Sequence, residues 1–167
     1  MIGPRIYACT WSLLPVMGPV EAARFAARHG FQGLELNCEP LDFWPSLVSE
    51  ATLRELIAIR NGEGIGFTLH DDSTVNPASA LPEERAADDE KIRRLAEVAA
   101  RLSSPVLAIH PGVVRELDGL ERHGTAFATK RHDRDGLARR GWQRAVERIG
   151  AWADMAASAG LTLVVEN

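Results

Sequence analysis

Four short apolar runs in this chain each end on a residue that can bind a metal or move a proton. Glu35 and Asn37 lie in Gly33-Leu34-Glu35-Leu36-Asn37, and His70 closes Gly66-Phe67-Thr68-Leu69-His70. His110 closes Val106-Leu107-Ala108-Ile109-His110, and Glu166-Asn167 closes the run from Leu161 to Val165. Two imidazoles and a carboxylate are borderline-to-hard ligands of the kind that suits Zn²⁺, Mn²⁺, Co²⁺ or Mg²⁺. A polar side chain at the tip of a buried apolar run is costly unless something pairs with it. Singly, each has a plainer reading. His70 can begin a turn with Asp71, Asp72 and Ser73. Glu35 can pair with a neighbouring strand end, and Glu166 can be exposed only because the sequence stops there. His110 is the stronger case, since Pro111-Gly112 presents its ring instead of burying it. On successive runs, the four together point to one site.

The elements that position them alternate regularly. Ile6–Thr10 reads as a first strand and 33–37, 66–70, 106–110 and 161–167 as four more. Pro19 suits a helix N1 position and Gly30 its C′ position, with Ala22, Phe25, Ala26 and His29 on one face. Ser49 is placed to cap a second helix carrying Leu53, Leu56 and Ile57 and ending near Asn61-Gly62. The third helix keeps Ile92, Leu95, Ala96, Ala99 and Leu102 in helical spacing and stops at Ser103-Ser104-Pro105. A polar loop, 71–80, precedes it. A charged stretch from Val113 to Arg140 then interrupts the rhythm. A fourth helix carries Trp142, Ala145, Val146, Ile149, Trp152, Ala153 and Ala156 and is closed by Gly160.

Apolar strands separated by helices make a parallel sheet. Two architectures fit: a five-stranded doubly wound sheet, or part of a (β/α)₈ barrel. The strands recur about every 39 residues, so eight units need roughly 310, within the barrel range of about 200 to over 400. No helix follows the fifth strand, and a barrel opened there leaves two unpaired strand edges. The expectation is an α/β TIM barrel present as an incomplete portion, residues 1–167 forming one N-terminal unit of five strands and four helices. The remainder is then missing or supplied by another polypeptide, and this portion is expected to be inactive alone.

Composition narrows the classes. The 167 residues are 46% hydrophobic and 25% charged, as in an ordinary globular domain. A net charge of -4 argues against a protein that coats nucleic acid. No run nears the roughly 18 apolar residues of a membrane span, and the N-terminus lacks a signal-peptide pattern. Cys9 and Cys38 are too few for a disulfide scaffold, so a reduced, cytoplasmic setting is expected. Between Val113 and Arg148, nine Lys/Arg face six Asp/Glu. That excess suits an anionic substrate, but a solvated loop and helix face is the favoured reading. Gly62-x-Gly64-x-Gly66 precedes a strand, so it cannot cradle a pyrophosphate and reads as a helix C-cap. Cys9 has no neighbouring histidine in sequence to make it a nucleophile. Trp11 suits a stacking wall for a sugar ring or core packing equally. His29, His123 and His132 read as surface residues.

Leu-His after strand three, Ile-His-Pro-Gly after strand four and Val-Val-Glu-Asn after strand five resemble the xylose isomerase-like TIM barrel superfamily. That group holds sugar-phosphate isomerases and epimerases and the endonuclease IV-type AP endonucleases. The resemblance implies a divalent metal at the barrel mouth. In the sugar branch Glu166 is both ligand and acid/base group, its partner ligands coming from strands six to eight. In the endonuclease branch His70 and His110 join Glu166 around zinc ions. The strand-one histidine of that branch is absent, since Ala8-Cys9-Thr10-Trp11-Ser12 stands there, which tilts the reading to sugars. The expected function is a metal-dependent isomerase or epimerase of a small sugar-like molecule, with Glu166 catalytic. His70, His110 and Glu166 are the expected metal ligands, and Glu35, Trp11, His70 and Asn167 the substrate contacts. The alternatives are a zinc-dependent AP endonuclease and a non-catalytic half-barrel. Expected partners, besides substrate, are a second copy or the missing barrel half.

Overall fold

The computed structural model describes residues 6–13, 16–38, 49–71, 75–113 and 131–166. Among them, β1 (Tyr7–Cys9), β2 (Gly33–Asn37), β3 (Gly66–Asp71), β4 (Val106–Ile109) and β5 (Thr162–Val165) form one parallel sheet in the order β1-β2-β3-β4-β5. A 3-10 turn (Thr10–Ser12) follows β1. The crossovers contain α1 (Pro19–Arg28), α2 (Glu50–Glu63), α3 (Pro82–Arg101) and α4 (Arg131–Ser158).

That strand order decides the architecture. A doubly wound sheet reverses its order at a switch point and is covered on both faces. Here each strand lies beside its predecessor and no reversal occurs. Right-handed crossovers then put every helix on the same face, as in a barrel. The fold is a five-stranded portion of a TIM barrel.

Side chains alternate across a strand, and burial separates the two faces. Leu34, Leu36, Phe67, Leu69, Leu107 and Ile109 are wholly buried against the helices. The helices return Ala22, Ala23 and Ala26, Leu53 and Leu56, Ile92, Leu95 and Ala99, and Trp152 and Ala156 to the same core. The opposite, inner face is polar and partly open. Its lowest row is Tyr7, Gly33 and Gly66 in register. The Tyr7 ring lies across both glycines: a Cβ at Gly33 would fall 2.4 Å from the ring and one at Gly66 2.4 Å from the hydroxyl. Cys9, Glu35 and Thr68 form the next row, and Asn37, His70, Ala108 and Val164 the one above.

Local chemistry explains the helix ends. Pro19 stands at the start of α1, and the Ser49 hydroxyl accepts the Thr52 N–H at 3.1 Å. α2 runs past Asn61-Gly62 to Glu63, ending where Gly64 adopts φ 72°, which a side chain would resist. Three expected faces are rotated. In α1, Ala23 is buried while His29 is exposed and packs its ring on Phe25; in α2, Ile59 is buried more fully than Ile57. In α4, Trp142 and Val146 point outward, 67% and 52% exposed. α4 also begins at Arg131, inside the stretch read as an interruption. Its first turns are charged and hold Gly136 and Gly141, so no apolar stripe announces them.

Arg148 takes the place in the α4 interface that an apolar stripe would predict for Val146. Its Nη2 donates to the Asp89 carboxylate at 2.7 Å and to the Arg85 carbonyl at 2.9 Å. The guanidinium also lies 4.6 Å from the Trp152 ring centroid, and the Trp152 indole N–H donates to Asp89 Oδ1 at 2.7 Å. No helix among the described residues is long and apolar enough to cross a membrane.

Two stability predictions follow from this α3–α4 contact. Trp152→Ala empties a large buried site and removes the Asp89 donor, and is expected to lower unfolding free energy by about 3–5 kcal/mol, read from urea midpoints. Burial pushes the Asp89 carboxyl up, but hydrogen bonds from Arg148 and Trp152 with the arginine charges outweigh it, leaving it below the ordinary carboxylate range. A depressed folded value gives stability that is present above the unfolded value of about 3.9 and lost as pH falls through the folded one. Asp89→Asn is therefore expected to be less stable than wild type at pH 7, with the two urea midpoints converging as pH falls below the carboxylate range.

Candidate metal centre

Alternation along β3 turns His70 to the inner face and Asp71 to the helices. His70 is only 8% exposed. Its Nδ1 faces Glu35 Oε1 on β2 at 3.5 Å, and its Nε2 faces Glu166 Oε2, just past β5, at 3.6 Å. The His110 ring stacks on the His70 ring, with centroids 5.3 Å apart and planes 18° from parallel. One donor atom each from His70, His110 and Glu166 lies within 4.8 Å of the other two. In register, Ala108 separates His70 from Val164. Its single methyl leaves the space through which His70 reaches the fifth strand.

The donor set fits a divalent ion. His70 Nε2 is buried and makes no hydrogen bond to a described residue, a situation that costs about 1–3 kcal/mol when nothing compensates. Glu35 behind Nδ1 favours the tautomer whose Nε2 lone pair points at Glu166, which is how a carboxylate prepares a metal-binding histidine. Glu35 in turn accepts the Cys9 thiol at 3.2 Å. Burial pushes that thiol above its ordinary value, with the Glu35 carboxylate adding to the shift. A protonated Cys9 is a donor to Glu35, not a nucleophile.

The reverse face of β3 fixes the histidine's backbone. Asp71 is wholly buried and bound by Lys91 of α3 at 2.5 Å. The His70 carbonyl accepts the Cys38 N–H at 2.6 Å, and burial raises the Cys38 thiol far above its usual value.

Of the residues expected from sequence, the structure brings His70, His110 and Glu166 together and sets Glu35 against His70. Trp11 stands 54% exposed on the 3-10 turn. Asn167, His123 and most of the stretch 113–140 lie outside the described residues. Arg148 is neither a solvated residue nor free for an anion, since internal acceptors occupy its guanidinium; the Arg144 Nε is likewise spent on the Ala78 carbonyl. Asp71, expected to open a turn and a polar loop, is instead the last residue of β3 and faces the helices, and no sequence signal marks Lys91 or Asn76. Asn76 lies in the supposedly polar loop, of which Val75, Asn76, Ala78 and Ser79 are all buried.

The sequence matches the xylose isomerase-like TIM barrel family over residues 23–167. The chain belongs to that family. Similar solved structures agree on the fold. A D-tagatose 3-epimerase-like protein superposes with a TM-score of 0.74 at 21% identity, over 98% of this chain and 53% of its own. A D-psicose 3-epimerase from Clostridium cellulolyticum H10, solved with D-tagatose, gives 0.69 at 19%, over 96% and 51%. The IOLI protein, solved with a zinc atom, gives 0.71 at 11%, over 97% and 51%. This family member thus spans about half the length of the structures it resembles. No curated protein matches it in sequence.

The raised Cys9 thiol gives a direct check. Alkylation of Cys9 by iodoacetamide is expected to be slower at pH 7 than that of a free thiol. Its rate should reach half-maximum only above the ordinary thiol value of about 8.5; a half-point below it would restore Cys9 as a candidate nucleophile.

Proposed function

We propose that the whole protein is a divalent-metal-dependent isomerase or epimerase of a sugar-like carbonyl compound. The observation that carries this reading is the convergence of His70, His110 and Glu166 donor atoms within 4.8 Å. His70, His110 and Glu166 would hold the ion, which when bound supplies positive charge that acidifies a C–H beside a carbonyl. Glu166 is the proton carrier: its carboxylate, just past β5 and facing His70 Nε2 at 3.6 Å, takes a proton from a substrate carbon and returns it to the same or the adjacent carbon. Glu35 holds the Nδ1 side of His70 and so keeps Nε2 directed at the centre. Trp11 at the rim is a stacking surface for a sugar ring, and Asn167 serves as a hydrogen-bonding contact to the substrate. The epimerase named among the similar structures, solved with D-tagatose, supports a ketose as the first substrate class to test.

Two variants separate the roles. With Mn²⁺ or Co²⁺ and a ketohexose in D₂O, the full-length protein is expected to exchange the proton beside the carbonyl, followed by NMR. Glu166→Gln should slow this exchange by about 10²–10⁴-fold. Glu35→Gln should weaken metal binding by about 10–100-fold through His70. Absence of metal-dependent exchange with every ketose tried, in protein shown to bind metal, would count against the reading.

A second reading is zinc-dependent phosphodiester cleavage at abasic sites, favoured by the pairing of two stacked histidines with the glutamate past β5. Its test is nicking of an abasic duplex in the presence of Zn²⁺, and an intact duplex removes it.

A further inference from the structure

The His110 loop is not held by its own strand alone. Asn76, in the loop after β3 and 5% exposed, accepts the Val113 N–H at 3.0 Å and the Ala78 N–H at 3.3 Å through the same oxygen, Oδ1. Between His110 and Val113 the backbone turns at Gly112, with φ 77°. A Cβ there would sit 2.4 Å from Asn76 Oδ1 and 2.7 Å from Pro77 Cδ, so the two loops are in contact and only glycine fits. Asn76 is itself fixed from behind. Its N–H donates to Asp88 Oδ2 at 3.2 Å, and its carbonyl accepts Arg148 Nη1 at 3.2 Å. Arg148 Nη1 also reaches Asp88 Oδ2 at 3.3 Å, and this ion pair is largely buried. The chain of contacts therefore runs from α3 and α4 through Asn76 to the turn that follows His110.

We propose that Asn76 is a positioning residue for His110. It pins the Pro111–Val113 turn to the loop that follows His70, and so sets the spacing of the two stacked rings. This rests on the reading of His70 and His110 as partners in one centre, but it concerns the metal-free protein and can be tested there. Both bonds made by the Asn76 side chain are accepted by Oδ1, and Nδ2 makes none among the described residues. A carboxylate at this position thus keeps the clamp, whereas a hydrocarbon of similar size loses it.

The experiment follows the His110 Cε1–H resonance in metal-free, full-length protein, assigned with a His110→Gln variant. Asn76→Leu is expected to displace that resonance as the ring-current effect of the His70 ring is lost, and Asn76→Asp to leave it at the wild-type position. Gly112→Ala, which presses on the same contact from the other side, should displace it as Asn76→Leu does, and decides the matter if Asn76→Leu does not fold. A purely structural Asn76 would lower the melting temperature and leave the resonance in place; that result, or an Asn76→Asp spectrum like that of Asn76→Leu, overturns the proposal. Competition of Zn²⁺ with a chromophoric chelator is run in parallel, where the displaced variants should bind about 10–100-fold more weakly. A wild-type protein that binds no Zn²⁺ would overturn the metal centre, while the resonance would still judge Asn76.

Discussion

The two-residue alternation of a parallel strand is the constraint on which this molecule rests. Strands laid side by side in chain order deliver all their carboxyl ends to one rim. The pleat then decides, residue by residue, what faces the helices and what faces the interior. β3 shows how strict this is. A one-residue slip would bury His70 among leucines and turn Asp71 inward, destroying both the centre and the Lys91 ion pair. Thr68 and His70 face inward, while Phe67, Leu69 and Asp71 face the helices.

Apolar packing and polar chemistry are thus kept apart by a single layer of backbone. The helix side supplies the burial that holds the strands in register. The inner side carries groups that are costly to bury without partners: a stacked imidazole pair, two carboxylates and a thiol. The charged contacts at the back, Asp71 with Lys91 and Arg148 with Asp88 and Asp89, connect the two. Breaking a buried pair such as Asp71–Lys91 or Arg148–Asp88 by removing one partner costs about 3–5 kcal/mol, so these two ties resist rearrangement.

Much of this was legible in the sequence because it follows from short-range pattern. The strands, the Pro19 and Ser49 helix starts and the α3 stripe all come from local spacing. The gathering of His70, His110 and Glu166 follows once the strands are taken as parallel. What was hidden depends on contacts distant along the chain. Asn76 looks like an ordinary turn residue until α4 is folded over it, and Arg148 looks like surface charge until its acceptors are in place. The beginning of α4 escaped because a polar helix with glycines has no apolar period. Trp142 is the opposite case: a large apolar side chain at helical spacing reads as buried, yet it points outward. Trp11 had two readings that only exposure could separate.

Tyr7 gives the interior a base. Its aromatic ring covers the two glycines that open β2 and β3, at the end of the inner face away from the histidines. A small molecule moving down this face from the rim therefore meets the Tyr7 ring below Glu35.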